Sequence, residues 1–188
     1  MAYRIDGIEE LDNAGNSVVL PGDLDGDGYG ELVVGASEAE STTISGRVGA
    51  VYIVHGPITG DAWLGDAVDR IEASTAPRGL GALVDAGADV NGDGRNDLVV
   101  SASGCGACSL HTAAYVVLSP VIGTVLAESD ALAWVDWPNP FSGSVSSIAL
   151  ADDLDGDGGA DLVIGMPWAN TGGEQFGAVY YLLGGPAE

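Results

Sequence analysis

The chain has 188 residues, 46% of them apolar and 18% charged, and 28 acidic against 5 basic side chains give a formal net charge of −23. That apolar share can build a core, whereas the charge excludes nucleic acid and anionic membrane surfaces as partners, since both would repel it. No stretch approaches the roughly 18 uninterrupted apolar residues of a membrane span, and the N-terminal MAYRIDGIEELDN lacks the basic-then-apolar order of a signal peptide. Either the protein is cytoplasmic or a signal has been removed.

Thirty glycines, eight prolines and short Val, Ile, Leu and Tyr runs point to many strands with tight connections. In chain order, Tyr3 to Asp6 forms a short first segment, followed by a strand at Ser17 to Leu20 and an acidic loop. A second strand runs over Glu31 to Val34, a third over GAVYIV from Gly49, and a fourth over Asp69 to Glu72. The same order returns with strands at Ala82 to Asp85, Asp97 to Val100, AAYVVL from Ala113 and Ala133 to Asp136. It returns again at Ser146 to Leu150, Asp161 to Ile164 and GAVYYL from Gly177. The third strands, near-continuously apolar, are expected to be buried on both faces.

The acidic loops read GDLDGDGYGELVVGA at 22–36, ADVNGDGRNDLVVSAS at 88–103 and DDLDGDGGADLVIGMP at 152–167, and their first acids, Asp23, Asp89 and Asp153, stand 66 and 64 residues apart. Repetition at such a period decides the architecture: all-β, three four-stranded blades of a β-propeller, at about 17–72, 82–136 and 146–188 in one domain. The third blade has no fourth strand after it, but Tyr3-Arg4-Ile5-Asp6 matches Asp69-Arg70-Ile71-Glu72 at an offset of 66. The last blade is therefore completed by the N-terminal strand. Three blades cannot close a ring that needs about 4 to 8, so the chain is either part of a longer propeller or a homo-oligomer, a homodimer giving six blades.

In the loops, alternate side chains converge on the interior of a tight curl, and the intervening glycines supply the positive φ that the curl needs. The donors expected for one cation each are Asp23, Asp25, Asp27, the Tyr29 carbonyl and Glu31; Asp89, Asn91, Asp93, the Arg95 carbonyl and Asp97; and Asp153, Asp155, Asp157, the Gly159 carbonyl and Asp161. Hard oxygen donors in this number suit Ca²⁺, about three ions per chain, better than Mg²⁺ with its stricter octahedron. An EF-hand starts alike but places a bidentate Glu at position 12; here position 12 is Val34, Val100 and Ile164, so the ninth-position acid must close the site. Sites of the weak extracellular kind fill outside a cell, which argues for a secreted or surface location.

The D-x-D/N-x-D-G-x-x-D/E loop, followed by L-V-V/I-G-A/M and later by G-A-V-Y, resembles the FG-GAP repeats of the integrin α-subunit β-propeller and its bacterial relatives. The resemblance covers essentially the whole chain. It implies Ca²⁺ in the hairpin loop between the first and second strands of each blade, on the lower face, and a non-enzymatic module for protein binding or adhesion. A carbohydrate-binding propeller, lectin-like or accessory to a carbohydrate-active enzyme, is the alternative, and a purely structural repeat is a third.

The opposite face carries Trp137, Phe141, Trp168 and Phe176, side chains suited to anchoring a protein or stacking on a sugar, or else to packing beneath their own loops. Cys105 and Cys108 lack the βαβ setting of a redox pair, and as a zinc half-site offer only His111 as a third ligand, so they read as a local disulfide or a free thiol pair. His55 and His111 show no triad partners in sequence and read as structural residues.

Overall fold

The computed structural model describes residues 2–74, 79–103, 112–137, 145–171 and 174–185. A two-residue strand, β1 (Ile5–Asp6), opens the chain. The first blade follows with β2 (Ala14–Gly22), β3 (Glu31–Ala36), β4 (Ala50–Val54), the two-residue β5 (Ala62–Trp63), a 3₁₀ turn at Leu64–Asp66, and β6 (Asp69–Glu72). The second contains β7 (Leu80–Asp85), β8 (Leu98–Ser103), β9 (Thr112–Val117), β10 (Thr124–Leu126), the single helical turn α1 (Ala127–Asp130) and β11 (Ala133–Trp137). The third has β12 (Ser147–Ala151), β13 (Asp161–Met166), a small hairpin of β14 (Asn170–Thr171) and β15 (Glu174–Gln175), and β16 (Ala178–Leu182).

Each blade is an antiparallel meander. Its first three strands run in the order β2-β3-β4, β7-β8-β9 and β12-β13-β16, and β6 and β11 add a fourth to the first two. The first strands β2, β7 and β12 lie against one another, as the inner strands of a propeller do. Side chains alternate across each strand, so every blade offers one apolar face to the blade before it and one to the blade after.

Val33, Val51, Ile53 and Ile71 of the first blade meet Val84, Val100, Ala113 and Tyr115 of the second in one core. Val99, Ala114 and Val116 on the other face of the second blade meet Leu150, Leu162 and Ile164 of the third. Val34, Ala50, Tyr52 and Leu64 form a smaller cluster on the outer face of the first blade.

The third strands do not all behave as their sequence suggests. β4 and β9 are buried almost throughout, whereas β16 alternates between half-buried and exposed residues. The reason is positional: Ala178, Tyr180 and Leu182 pack on the second blade, and Val179 and Tyr181 point to the side where no further blade stands among the described residues.

Between third and fourth strands the chain makes a detour that composition alone does not reveal. The β10–α1 segment leaves the second blade to pair in parallel with β6 of the first, and its Val125 and Ala127 enter the shared core. The β5 segment does the same in the first blade, pairing in parallel with β1 and placing Leu64 in the outer cluster. Between the second and third blades, beside β11, lies an apolar cavity of about 170 Å³ lined by residues that include Trp134, Val135, Leu150 and Leu162.

Two local features, one at the seam between the first two blades and one within the first blade, are sensitive to small changes. Gly35 of β3 faces Gly81 of β7 so closely that an added Cβ would run into the Gly81 carbonyl oxygen. Gly35→Ala is expected to cost about 1–3 kcal/mol through forced separation of the two sheets, read as a lower urea midpoint; an unchanged midpoint would contradict this seam.

At the end of the first blade opposite the acidic loops, the fully buried Glu72 carboxylate accepts from the Thr42 amide at 3.0 Å, the Thr42 hydroxyl at 2.6 Å and the Ser41 hydroxyl at 2.8 Å, and pairs with Arg70 at 2.6 Å. Burial alone would raise its pKa, but the Thr42 and Ser41 hydrogen bonds and Arg70 outweigh it and hold the group below its ordinary 4.5. A depressed folded-state pKa contributes stability above the unfolded value that is lost as pH falls through the folded one. Glu72→Ala should therefore cost about 3 kcal/mol near neutral pH, and the gap to wild type should narrow as pH drops below the ordinary 4.5 in acid titrations of stability.

Candidate metal centres

The three acidic loops connect first to second strands, so all three emerge at the same end of the stacked sheets. Their backbone conformation repeats position by position. The fourth and sixth residues adopt positive φ in every copy: Gly26 and Gly28 at 86° and 91°, Gly92 and Gly94 at 76° and 89°, Gly156 and Gly158 at 86° and 91°. A side chain at these positions would be strained, which is why the loops carry glycine there.

The curl turns its amides onto its own acids. Asp23 accepts from the Gly26 and Gly28 amides at 2.6 and 2.9 Å, Asp89 from Gly92 and Gly94 at 2.7 and 2.6 Å, and Asp153 from the Gly156 and Gly158 amides. The third residue accepts from the amide of the fifth: Asp25 from Asp27 at 3.0 Å, Asn91 from Asp93 at 3.0 Å, and Asp155 from Asp157 at 3.1 Å. The fifth accepts from the amide of the seventh: Asp27 from Tyr29, Asp93 from Arg95, and Asp157 from Gly159, at 2.8 to 2.9 Å.

The ninth residue is the deepest. Glu31, Asp97 and Asp161 are buried at the head of their strands, and each accepts from the amide of the loop's second residue: Leu24 at 2.6 Å, Val90 at 2.8 Å and Leu154 at 2.6 Å. Each also ties the loop to the exit of the third strand, Glu31 to the Gly56 amide at 3.5 Å, Asp97 to Ser119 at 2.8 Å and Asp161 to Gly184 at 2.8 Å. These acids anchor the hairpin, and carboxylate oxygens of Glu31 and Asp161 lie within 4.8 Å of those of Asp25 and of Asp153 and Asp155 respectively.

Carboxylate oxygens of Asp23, Asp25 and Asp27 lie within 4.8 Å of one another, as do those of Asp153, Asp155 and Asp161. In the middle loop the Asn91 side-chain amide donates to Asp93 at 3.2 Å. The donor set is oxygen throughout and rich in charge, the chemistry of a hard divalent cation.

The electrostatics show the strain of crowding these charges. The Gly94 and Gly158 amides, with further amides of each loop, hold Asp89 and Asp153 below the usual carboxylate range. Burial pushes Asp23 upward, but the Gly26, Gly28 and Asp27 amides and nearby Arg95 pull it below. Asp97 moves the other way, raised by burial and by the charges of Asp93 and Asp89 against the Ser119 and Val90 amides. Against the Asp157 amide, which lowers it, burial and the charges of Asp157, Asp161 and Asp153 raise Asp155. A bound cation offsets this repulsion.

The first loop has a feature that its sequence conceals. His55, just after β4, lies among three acids, with Nδ1 3.1 Å from Asp25 and 3.9 Å from Glu31, and Nε2 2.7 Å from Asp69. Desolvation lowers its pKa, but Asp69, Asp25 and Glu31 more than compensate and raise it, favouring a protonated ring beside the loop. The paired acids absent from its sequence neighbourhood are thus supplied by the fold. The equivalent positions in the other blades are Leu118 and Leu183, so among the described residues only the first loop carries a histidine partner. Arg95, from the second loop, lies across Gly26 of the first.

At the opposite end, Trp168 and Phe176 are exposed. The backbone of Trp137 closes β11, while Phe141, Cys105, Cys108 and His111 lie outside the described residues. Trp134, not singled out in the sequence, lines the cavity beside β11.

The FG-GAP repeat model matches residues 14–54 and 144–182, the first and third blades with their loops. Phosphatidylinositol-glycan-specific phospholipase D of Homo sapiens is 33% identical over 171 residues, which cover 88% of this chain and 20% of the relative. The Bos taurus protein of the same name is 34% identical over 172 residues, covering 84% and 19%. Integrin alpha-PS2 of Drosophila melanogaster is 33% identical over 101 residues, covering 52% of this chain and 7% of the integrin. The chain thus spans about one fifth of the length of the phospholipase relatives. With three stacked sheets built on the same antiparallel meander, one recurring loop geometry and these matches, the chain is an FG-GAP repeat protein resembling the integrin α-subunit propeller.

Proposed function

We propose that the chain is a calcium-binding, non-enzymatic propeller module that binds a protein partner, as in adhesion, outside the cell. The observation that carries the metal assignment is the threefold recurrence of one loop conformation, with the same backbone amides donating to side-chain oxygens at positions 1, 3, 5 and 9. Ca²⁺ is held by Asp23, Asp25, Asp27 and Glu31, by Asp89, Asn91, Asp93 and Asp97, and by Asp153, Asp155, Asp157 and Asp161. The carbonyls of Tyr29, Arg95 and Gly159 complete the sets. Weak extracellular-type sites, with Kd on the order of 10⁻⁴ to 10⁻³ M, fill only where Ca²⁺ is abundant.

The metal then serves rigidity, and recognition belongs to the opposite end, where Trp168 and Phe176 are exposed. Trp137 and Phe141 belong to the same set of loops by sequence. Large exposed aromatics anchor interfaces at low conformational cost. A panel of purified extracellular domains and a glycan array, both probed with the labelled chain, test the reading. A protein partner retained in Ca²⁺ and lost on Trp168→Ala with Phe176→Ala is expected; binding confined to sugars would overturn it in favour of a lectin-like role.

A further inference from the structure

We infer that the His55 ring and the carboxylates of Asp25 and Glu31 hold one Zn²⁺ per chain, through Nδ1 and one oxygen from each acid. The inference goes beyond the Ca²⁺ reading of the loops, because an imidazole nitrogen suits a borderline ion such as Zn²⁺ and adds nothing for a hard ion that takes oxygen ligands. The ligand atoms of the three residues all lie within 4.8 Å of one another. Asp25 also belongs to the all-oxygen group with Asp23 and Asp27, so the two groups adjoin at one carboxylate.

The first support is the state of Nδ1. This atom is buried and makes no hydrogen bond among the described residues, although an Asp25 oxygen stands 3.1 Å away and a Glu31 oxygen 3.9 Å away. The acids are near the nitrogen but off the line of a hydrogen bond to it. A ring kept only for ion pairing would aim an N–H at one of them. Donors about 2.0–2.2 Å from a tetrahedral ion stand about 3.3–3.6 Å from one another, and the two observed separations fall on either side of that range. The Glu31 side chain is fully buried and its Oε2 accepts from the Leu24 amide at 2.6 Å, which leaves Oε1 as the oxygen nearer the ring.

The second support is the other ring nitrogen. Nε2 lies 2.7 Å from Asp69 Oδ2, while Asp69 Oδ1 accepts from the Gly123 amide, so the carboxylate is held at both oxygens. With Nε2–H donating to Asp69, the ring lone pair sits on Nδ1. Metal-bound histidines are held in this way, the nitrogen away from the ion donating to a carboxylate that fixes the tautomer and raises the basicity of the ligand. The ion takes the place that a proton on Nδ1 would hold. Asp69 is therefore a positioning residue and not a ligand.

The third support is the comparison between blades. In the second blade Leu118 stands where His55 stands in the first, and Ala133, opposite Val116 as Asp69 is opposite Ile53, stands where Asp69 stands. The ring and the carboxylate that orients it are present together in one blade and absent together in the next. The same hairpin forms in both, with Asp97 accepting from Val90 as Glu31 accepts from Leu24. The hairpin thus requires neither His55 nor Asp69.

The test uses the untagged 188-residue chain carrying Cys105→Ser, Cys108→Ser and His111→Gln, which removes both thiols and leaves His55 the only histidine. Equilibrium dialysis against ZnCl₂ in excess Ca²⁺ should give one tightly held Zn²⁺ per chain. His55→Gln should weaken it at least tenfold, and Asp69→Asn about 10–100-fold, with the Ca²⁺ count of each variant unchanged in the absence of Zn²⁺. Zinc-edge X-ray absorption of the parent chain should show one imidazole nitrogen at about 2.0–2.1 Å, which decides the matter even if a variant fails to fold. Asp89→Ala, conversely, should lower the Ca²⁺ count and leave Zn²⁺ uptake unchanged, so failure of this site and failure of the Ca²⁺ loops are told apart. No held Zn²⁺, an affinity indifferent to His55→Gln or to Asp69→Asn, or an oxygen-only shell around the zinc would each overturn the inference.

Discussion

Chelation of Ca²⁺ is expected to lower the melting temperature of the chain by roughly 15–30 °C, since each site contributes about 2.7 kcal/mol at a hundredfold excess over Kd and a domain of this size shifts about 2–4 °C per kcal/mol. The loops make so large an effect reasonable. Removing the ion leaves Asp23, Asp25 and Asp27 with oxygens within 4.8 Å of one another, and likewise Asp153, Asp155 and Asp161. Their amide bonds stabilise the charges only partly, as the raised pKa of Asp155 records. The chain's formal charge of −23 adds general self-repulsion that bound cations relieve. A differential scan in EDTA checks this, and an unchanged melt would count against all three sites.

The second large effect is expected at Asp97. Its carboxylate is 0% exposed and accepts from Val90 at 2.8 Å and Ser119 at 2.8 Å, joining the loop to the end of β9. Asp97→Ala removes the proposed ninth-position donor and leaves two amides without their charged acceptor, each such bond being worth about 1.5–3 kcal/mol. A loss of roughly 3–5 kcal/mol should therefore appear in urea titrations even in EDTA. Asn91→Ala, on the exposed side of the same loop, should cost under about 1 kcal/mol without Ca²⁺ and act only in its presence. Equal losses for the two variants in EDTA would show that the ninth position has no structural role beyond its charge.

Much of this was legible in the sequence because the loops and third strands carry short-range signals. Asp23, Asp25 and Asp27 alternate with Leu24 and Gly26, so their convergence follows from the curl that Gly26 and Gly28 impose. Runs such as Ala50–Val54 and Thr112–Val117 are apolar on both faces because both are covered, those of β9 by the blades on either side and those of β4 by the second blade and by the cluster around Leu64. The rest depended on partners distant in sequence. Ala62–Trp63 and Thr124–Leu126 are too short to signal strands, and they extend only because β1 and β6 offer an edge. His55 gained its acids from a loop 30 residues earlier and a strand 14 residues later. β16 reads like β4 in sequence, yet its exposure differs because burial is a property of the neighbouring blade, not of the strand itself.

Native mass spectrometry across a Ca²⁺ titration tests the central claim most directly, by counting ions per chain. Three Ca²⁺ per chain are expected for the wild type, and two when Asp89→Ala empties the middle loop alone. Saturation with no bound Ca²⁺, or a count indifferent to Asp89→Ala, would contradict the assignment of the three loops as metal centres.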